Sequence, residues 1–132
     1  MLDLSETNHG DVKGIYIVDW ELCKTGLPGL DIGQFCAEID LVRRFYPEIA
    51  QIVGVGLEAF LHAYRGGVDR DLELAKVAAI HVGTHLAVWT PRVPWGDKET
   101  TRATVIDGLK HVVGGSEEFG DWLSQSIVGA LL

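Results

Sequence analysis

The sequence predicts a mainly α fold of the α+β class, an N-terminal β-hairpin followed by about five helices. Two observations predict it. Up to Pro28 the clearest ordered signal is one short β-branched and aromatic run, Ile15-Tyr16-Ile17-Val18, preceded by the turn-rich Asn8-His9-Gly10-Asp11. Beyond Pro28 the apolar residues recur at i, i+3 and i+4, the spacing of a helix face. The expected organisation is a single partial domain, with residues 1–27 forming the hairpin and its exit and residues 28–132 a helical subdomain.

Met1 to Leu4 is the expected partner strand of Ile15 to Val18. A two-stranded ribbon is marginal in water, so this one must pack on something else. Asp31 is the expected N-cap of the first helix, and Gln34 three residues later completes a capping box. Ile32, Phe35, Cys36, Ile39, Val42 and Tyr46 are its expected buried stripe, and Pro47 ends it or opens the next helix. The second helix carries Ile49, Ile52, Val53, Leu57, Phe60, Leu61 and Tyr64 and stops at Gly66-Gly67. The third runs from about Asp71 to Trp89, ahead of Pro91, and is apolar on most sides, the mark of a central helix. Pro91 to Asp97 reads as a loop, and the fourth helix as Lys98 to Val113, ended by Gly114-Gly115. Ser116 is the expected cap of a fifth helix with Phe119, Trp122, Leu123, Ile127 and Leu131 on one side.

Composition narrows the function classes. The chain has 132 residues, 47% of them hydrophobic, which suits one globular unit rather than disorder. Its formal net charge is −8, from 19 acidic against 11 basic residues. That balance repels a nucleic-acid backbone, so no nucleic-acid partner is expected, and it attracts a cationic substrate. No stretch reaches the roughly 18 apolar residues of a membrane span, so no membrane association is expected. The N-terminus has no basic region followed by an apolar run, so no signal peptide is expected. The two cysteines, Cys23 and Cys36, make neither a disulfide framework nor a metal spacing, and a cytoplasmic setting is the expectation. Cys36 lies in an apolar pattern and reads as a small core residue.

The chemistry is concentrated between Ile15 and Glu38. Val18-Asp19-Trp20-Glu21 puts a carboxylate at the end of an apolar strand. A strand end fixes carboxylate oxygens, and magnesium takes one or two carboxylates with phosphate oxygens and water. An aspartate there is also a common turn former. Asp19-Trp20-Glu21 continues into Gly26-Leu27-Pro28-Gly29-Leu30-Asp31-Ile32-Gly33-Gln34. Strand, Asp-Trp-Glu, a Gly-Pro-Gly connection and a second aspartate opening a helix make a compound pattern. It resembles the C-terminal lobe of the aminoglycoside phosphotransferase and choline kinase family, a branch of the protein-kinase-like fold.

The resemblance covers about Ile15 to Glu38. It implies a kinase, a transferase that uses ATP and magnesium to phosphorylate a small-molecule hydroxyl acceptor. It makes Asp19 the metal- and cofactor-binding residue, equivalent to the magnesium aspartate of the Asp-Phe-Gly position, with Trp20 in place of the Phe. Asp31 matches the family's second aspartate in this segment, or is simply the helix cap. Glu21 stands behind the metal's ligands or is solvated.

Such an enzyme also needs a base and, five residues on, a metal-binding asparagine. His9-Gly10-Asp11 imitates the start of that loop, but the asparagine position is occupied by Tyr16, and Val12 to Val18 is too short for the expected strand pair. His9 to Asp11 is therefore read as the hairpin tip. The catalytic base is expected upstream of Met1, and no glycine-rich phosphate loop occurs in the 132 residues. The chain alone is expected to be inactive as a kinase fragment. The alternative is a non-enzymatic helical module or degenerate pseudo-kinase, with self-association through exposed apolar surface.

Other residues are weighed more simply. His81 and His85 have the i, i+4 spacing of metal ligands, but Val82 stands where a metalloprotease glutamate would, and hydrogen-bonded, partly buried histidines are expected. Trp89, Arg92 and Trp95 line a substrate site or anchor their loop. Trp122 reads as core, and Glu117 and Glu118 as complements to a helix dipole.

Overall fold

The computed structural model describes residues 2–3, 14–16, 18, 21, 23–67, 71–116 and 121–132. Its body is built from α1 (Pro28–Phe45), α2 (Ala50–Gly66), α3 (Leu72–Trp89), α4 (Lys98–Ser116) and the short α5 (Asp121–Gln125). A 3-10 turn, Thr90–Arg92, follows α3, and another, Gly129–Leu131, closes the chain.

The α+β expectation is corrected. Among the described residues the fold is helical, and the extended pairing is two residues a side, Leu2–Asp3 (β1) antiparallel to Gly14–Ile15 (β2). That bridge does not amount to the hairpin expected from Met1–Leu4 and Ile15–Val18. Tyr16 and Val18 lie outside any strand and are exposed. The run is β-branched and aromatic, but Tyr16 and Val18 are largely exposed, and a two-stranded ribbon is marginal on its own. Met1, Leu4, Ile17 and the turn at Asn8 to Asp11 lie outside the described residues.

The expectation of a central third helix matches the structure. α3 is flanked by α1 on one side and α4 on the other. Small residues let the backbones approach. A Cβ on Gly33 of α1 would lie 2.7 Å from the Ala78 carbonyl oxygen of α3. A Cβ on Gly108 of α4 would lie 2.7 Å from the Gly83 carbonyl oxygen. Ala75, Ala78, Ala79, Val82 and Leu86 of α3 are fully buried between these neighbours. Ile32, Cys36, Ala37 and Leu41 of α1, Leu57 and Leu61 of α2, and Leu123, Val128 and Leu131 complete the core.

Helix ends depart from the sequence reading in physically explicable ways. α1 begins at Pro28, not at Asp31, because proline at the first position is pre-set in φ and gives up a hydrogen bond that is unmade there anyway. No side chain caps it, so the Asp31–Gln34 capping box does not form. The buried face of α1 is also turned. Gly33, Ala37, Asp40 and Leu41 are buried, whereas Phe35 is exposed and rests on Phe60 with ring centroids 4.3 Å apart. α3 is capped by Asp71, whose side chain accepts from the Glu73 amide at 2.9 Å. α4 runs through Gly114-Gly115 to Ser116. The glycines are needed there for space: Trp122 lies against Gly114, and a Cβ on Gly115 would sit 2.8 Å from Ile80 Cγ1. Ser116 thus ends α4 instead of capping α5, and its hydroxyl donates to the Val113 carbonyl at 2.7 Å. Glu117, Glu118 and Phe119 lie outside the described residues.

Candidate functional site

Asp19, the expected metal ligand, and Trp20 lie outside the described residues. The chain on their far side is placed. Glu21 is exposed, Cys23 to Leu27 run over the surface without helix or strand, and Pro28 opens α1. Asp31 sits exposed in the first turn of α1, where its charge complements the helix dipole. The segment thus delivers α1, and with it Asp31, Gln34 and Glu38, against α3.

That contact is polar at one edge. Gln34 donates from Nε2 to Glu38 Oε1 at 3.1 Å and accepts at Oε1 from His81 Nε2 at 3.2 Å. His85 Nε2 approaches Glu38 Oε1 at 3.1 Å from a nearly buried position. Burial and the neighbouring His85 hold the His81 imidazole below its ordinary pKa, with Asp31 pulling the other way. The two histidines are therefore hydrogen-bonded helix-packing residues, as expected. Among the described residues no group of three His, Cys, Asp or Glu side chains is arranged to hold a metal ion.

A second polar assembly joins α1 to α4, and the sequence reading missed it. Asp40 is fully buried and accepts from Arg43 Nη2 at 2.5 Å and from Arg44 Nε at 2.6 Å. Arg44 also donates through Nη2 to Asp107 Oδ2. Burial opposes the charge on Arg44, but the two carboxylates outweigh it and raise its pKa. The i, i+4 spacing of Asp40 and Arg44 was a usable signal. The apolar stripe drew the helix face elsewhere, and nothing in the sequence pairs Asp107 with Arg44.

This assembly forms one wall of a cleft of about 770 Å3 between α1, α2, α4 and the C-terminal segment. Arg43, Arg44, Glu58, Asp107, His111 and Trp122 are among the residues that line it. His111 Nδ1 donates to the Asp107 carbonyl at 2.9 Å, and the ring meets Trp122 edge-on at 5.0 Å. Its Nε2 is buried without a hydrogen-bond partner among the described residues. Trp122 is half-buried, packed against the core as expected and also lining the cleft.

The loop after α3 divides its aromatics. Trp95 anchors it, half-buried and stacked on Phe45 with centroids 5.8 Å apart. Trp89 is half exposed and lies under the Arg92 guanidinium, 5.5 Å from the ring centroid. No helix among the described residues is long and apolar enough to cross a membrane.

No family model matches the chain, and no solved structure does. Two curated proteins do, both named 4-hydroxytryptamine kinase. The one from Psilocybe cyanescens is 37% identical over 106 residues, which is 80% of this chain and 28% of the relative. The one from Psilocybe cubensis is 33% identical over 123 residues, 92% of this chain and 33% of the relative. The chain spans about a third of the length of the curated relatives it matches.

Proposed function

We propose that the chain is part of an ATP-dependent phosphotransferase of the aminoglycoside phosphotransferase and choline kinase kind, acting on a hydroxyl group of a small molecule. The observation that carries this reading is the likeness over 92% of the chain to a protein named as a kinase of a hydroxylated small molecule. The unmatched remainder is too short to contain Ile15 to Glu38, the segment whose pattern suggests the same chemistry.

In this reading Asp19 is the magnesium ligand and so the residue that holds the nucleotide's phosphates through the ion. Magnesium neutralises charge on the β and γ phosphates during transfer. Asp31, in the first turn of α1, complements the helix dipole there. The 132 residues hold no glycine-rich phosphate cradle, so transfer requires groups beyond those present in them. The acceptor is a small hydroxyl compound, and an aromatic amine such as the relatives' hydroxytryptamine suits the −8 net charge, which draws cations. A cytoplasmic setting, where ATP is supplied, goes with this chemistry.

The test is an exchange. Residues 1–132 replace the matched third of the Psilocybe cubensis relative, and transfer of the ATP γ-phosphate to 4-hydroxytryptamine is measured. Transfer that disappears with Asp19→Ala supports the proposal. A folded chimera, verified by a cooperative melt, that transfers nothing counts against it.

A second reading, a helical module that pairs with another protein, is favoured by one observation. Ile106, Leu109 and Val113 form an exposed apolar stripe along α4. Mass measurement in solution across a concentration series decides it: a monomer at all concentrations removes self-association through this stripe.

A further inference from the structure

The 770 Å3 cleft between α1, α2, α4 and the C-terminal segment lies within the size range of small-molecule sites. Arg43 and Arg44 reach it from the last turn of α1.

The walls carry unmet bonding capacity of both signs. Arg44 uses Nε and Nη2 on Asp40 and Asp107, and Arg43 uses Nη2 on Asp40. Each guanidinium has five N–H donors, so both retain donors for an anion. Glu58 lines the cleft from α2, is exposed, and has no ion-pair partner among the described residues. His111 donates from Nδ1 to the Asp107 carbonyl, and its Nε2 is buried with no hydrogen-bond partner among the described residues. A buried polar atom without a partner is unfavourable, and a ligand that bonds to it relieves that. Trp122 adds a flat apolar surface.

We propose that this cleft is a binding site for a small aromatic zwitterion. Its carboxylate or phosphate lies on Arg43 and Arg44, its ammonium lies toward Glu58, and its ring lies against Trp122. A simple anion would face Glu58 and Asp107, and a simple cation would face the two arginines, so a ligand carrying both charges fits where either alone does not. The inference stands independently of the phosphotransferase reading.

L-tryptophan serves as the probe, with tryptamine lacking the carboxylate and indole-3-propionate lacking the amine. Binding is followed in 15N-labelled chain through the Trp122 indole N–H, identified with Trp122→Phe, and the His111 ring signals. The expected result is a saturable shift of both with tryptophan, and at least tenfold weaker binding of each single-charge analogue. Arg43→Ala should weaken tryptophan binding about tenfold or more, and Arg102→Ala, at an exposed position outside the cleft, should leave it unchanged. Glu58→Gln, at an exposed position, should weaken tryptophan but not indole-3-propionate. Unmoved Trp122 and His111 signals, or equal affinity for all three probes, would overturn the proposal.

Discussion

Arg44 donates from Nε to Asp40, one helical turn earlier on α1, at 2.6 Å, and the carboxylate that receives it has no exposed surface. A buried carboxylate survives only with its oxygens occupied, and here two guanidiniums occupy them. Removing the carboxylate leaves Arg44, whose side chain is 23% exposed, with Asp107 as its one remaining carboxylate among the described residues. Asp40→Ala should therefore cost about 3 kcal/mol in urea unfolding, in the range for breaking a buried pair from one side. Arg43→Ala, whose side chain is 43% exposed, should cost no more than about 1 kcal/mol.

The crossing of α3 and α4 leaves no room for a side chain. Gly108→Ala places a methyl 2.7 Å from the Gly83 carbonyl oxygen and 2.9 Å from the Ala87 amide nitrogen. Backbone cannot swing aside as a side-chain tip does, so the helices must separate. We expect a loss of about 2–3 kcal/mol, at the upper end of overpacking costs, despite alanine's better helix propensity. Gly54→Ala, with nothing within 4 Å of its Cβ, should be neutral or slightly stabilising in the same assay.

The two thiols should separate cleanly. Burial, then the nearby Asp40 charge, pushes the Cys36 pKa up to about 12, whereas Cys23 is exposed. The thiolate is the reactive form. A thiol reagent at pH 8 should modify Cys23 alone in the native chain and both cysteines in denaturant. Rapid native modification of Cys36 would show that the α1 core face is open.

His81 gives a pH dependence of known sign. Its folded pKa is lowered from 6.5, first by burial and next by His85, against an opposing pull from Asp31. Gln34 faces it from α1 and is itself bonded to Glu38. The unfolded chain therefore takes the proton first. The stability is fully present above the unfolded value and is lost as pH falls through the folded one. Unfolding measured from pH 7.5 to 5 should show stability falling with acid, and His81→Gln should flatten that slope.

How much of this was legible in the sequence differs by element. The central place of α3 was, because a helix apolar on every side has nowhere else to go. The start of α1 was misplaced because Asp31 and Gln34 carry a cap signal, while Pro28 carries a stronger one through its fixed φ. Gly114-Gly115 resembled a stop, but their lack of a Cβ serves Trp122 and Ile80, residues that periodicity along one helix cannot pair with them. The hairpin was over-read because β propensity describes a half-buried surface, and Tyr16 and Val18 are exposed. At the candidate site, the hydrogen-bonded histidines were legible from their apolar helix. The Arg44–Asp107 contact was not, since it joins residues 63 apart whose pairing only the tertiary fold creates.

The central claim is that Asp19 holds a divalent ion for a nucleotide's phosphates. Its most direct measurement is a manganese titration in the presence of ATP, read by water-proton relaxation, on the wild-type chain and on Asp19→Ala. Our account expects the wild type to bind manganese–ATP at least tenfold more tightly, with Asp31→Ala close to wild type. Equal affinity in wild type and Asp19→Ala would contradict it.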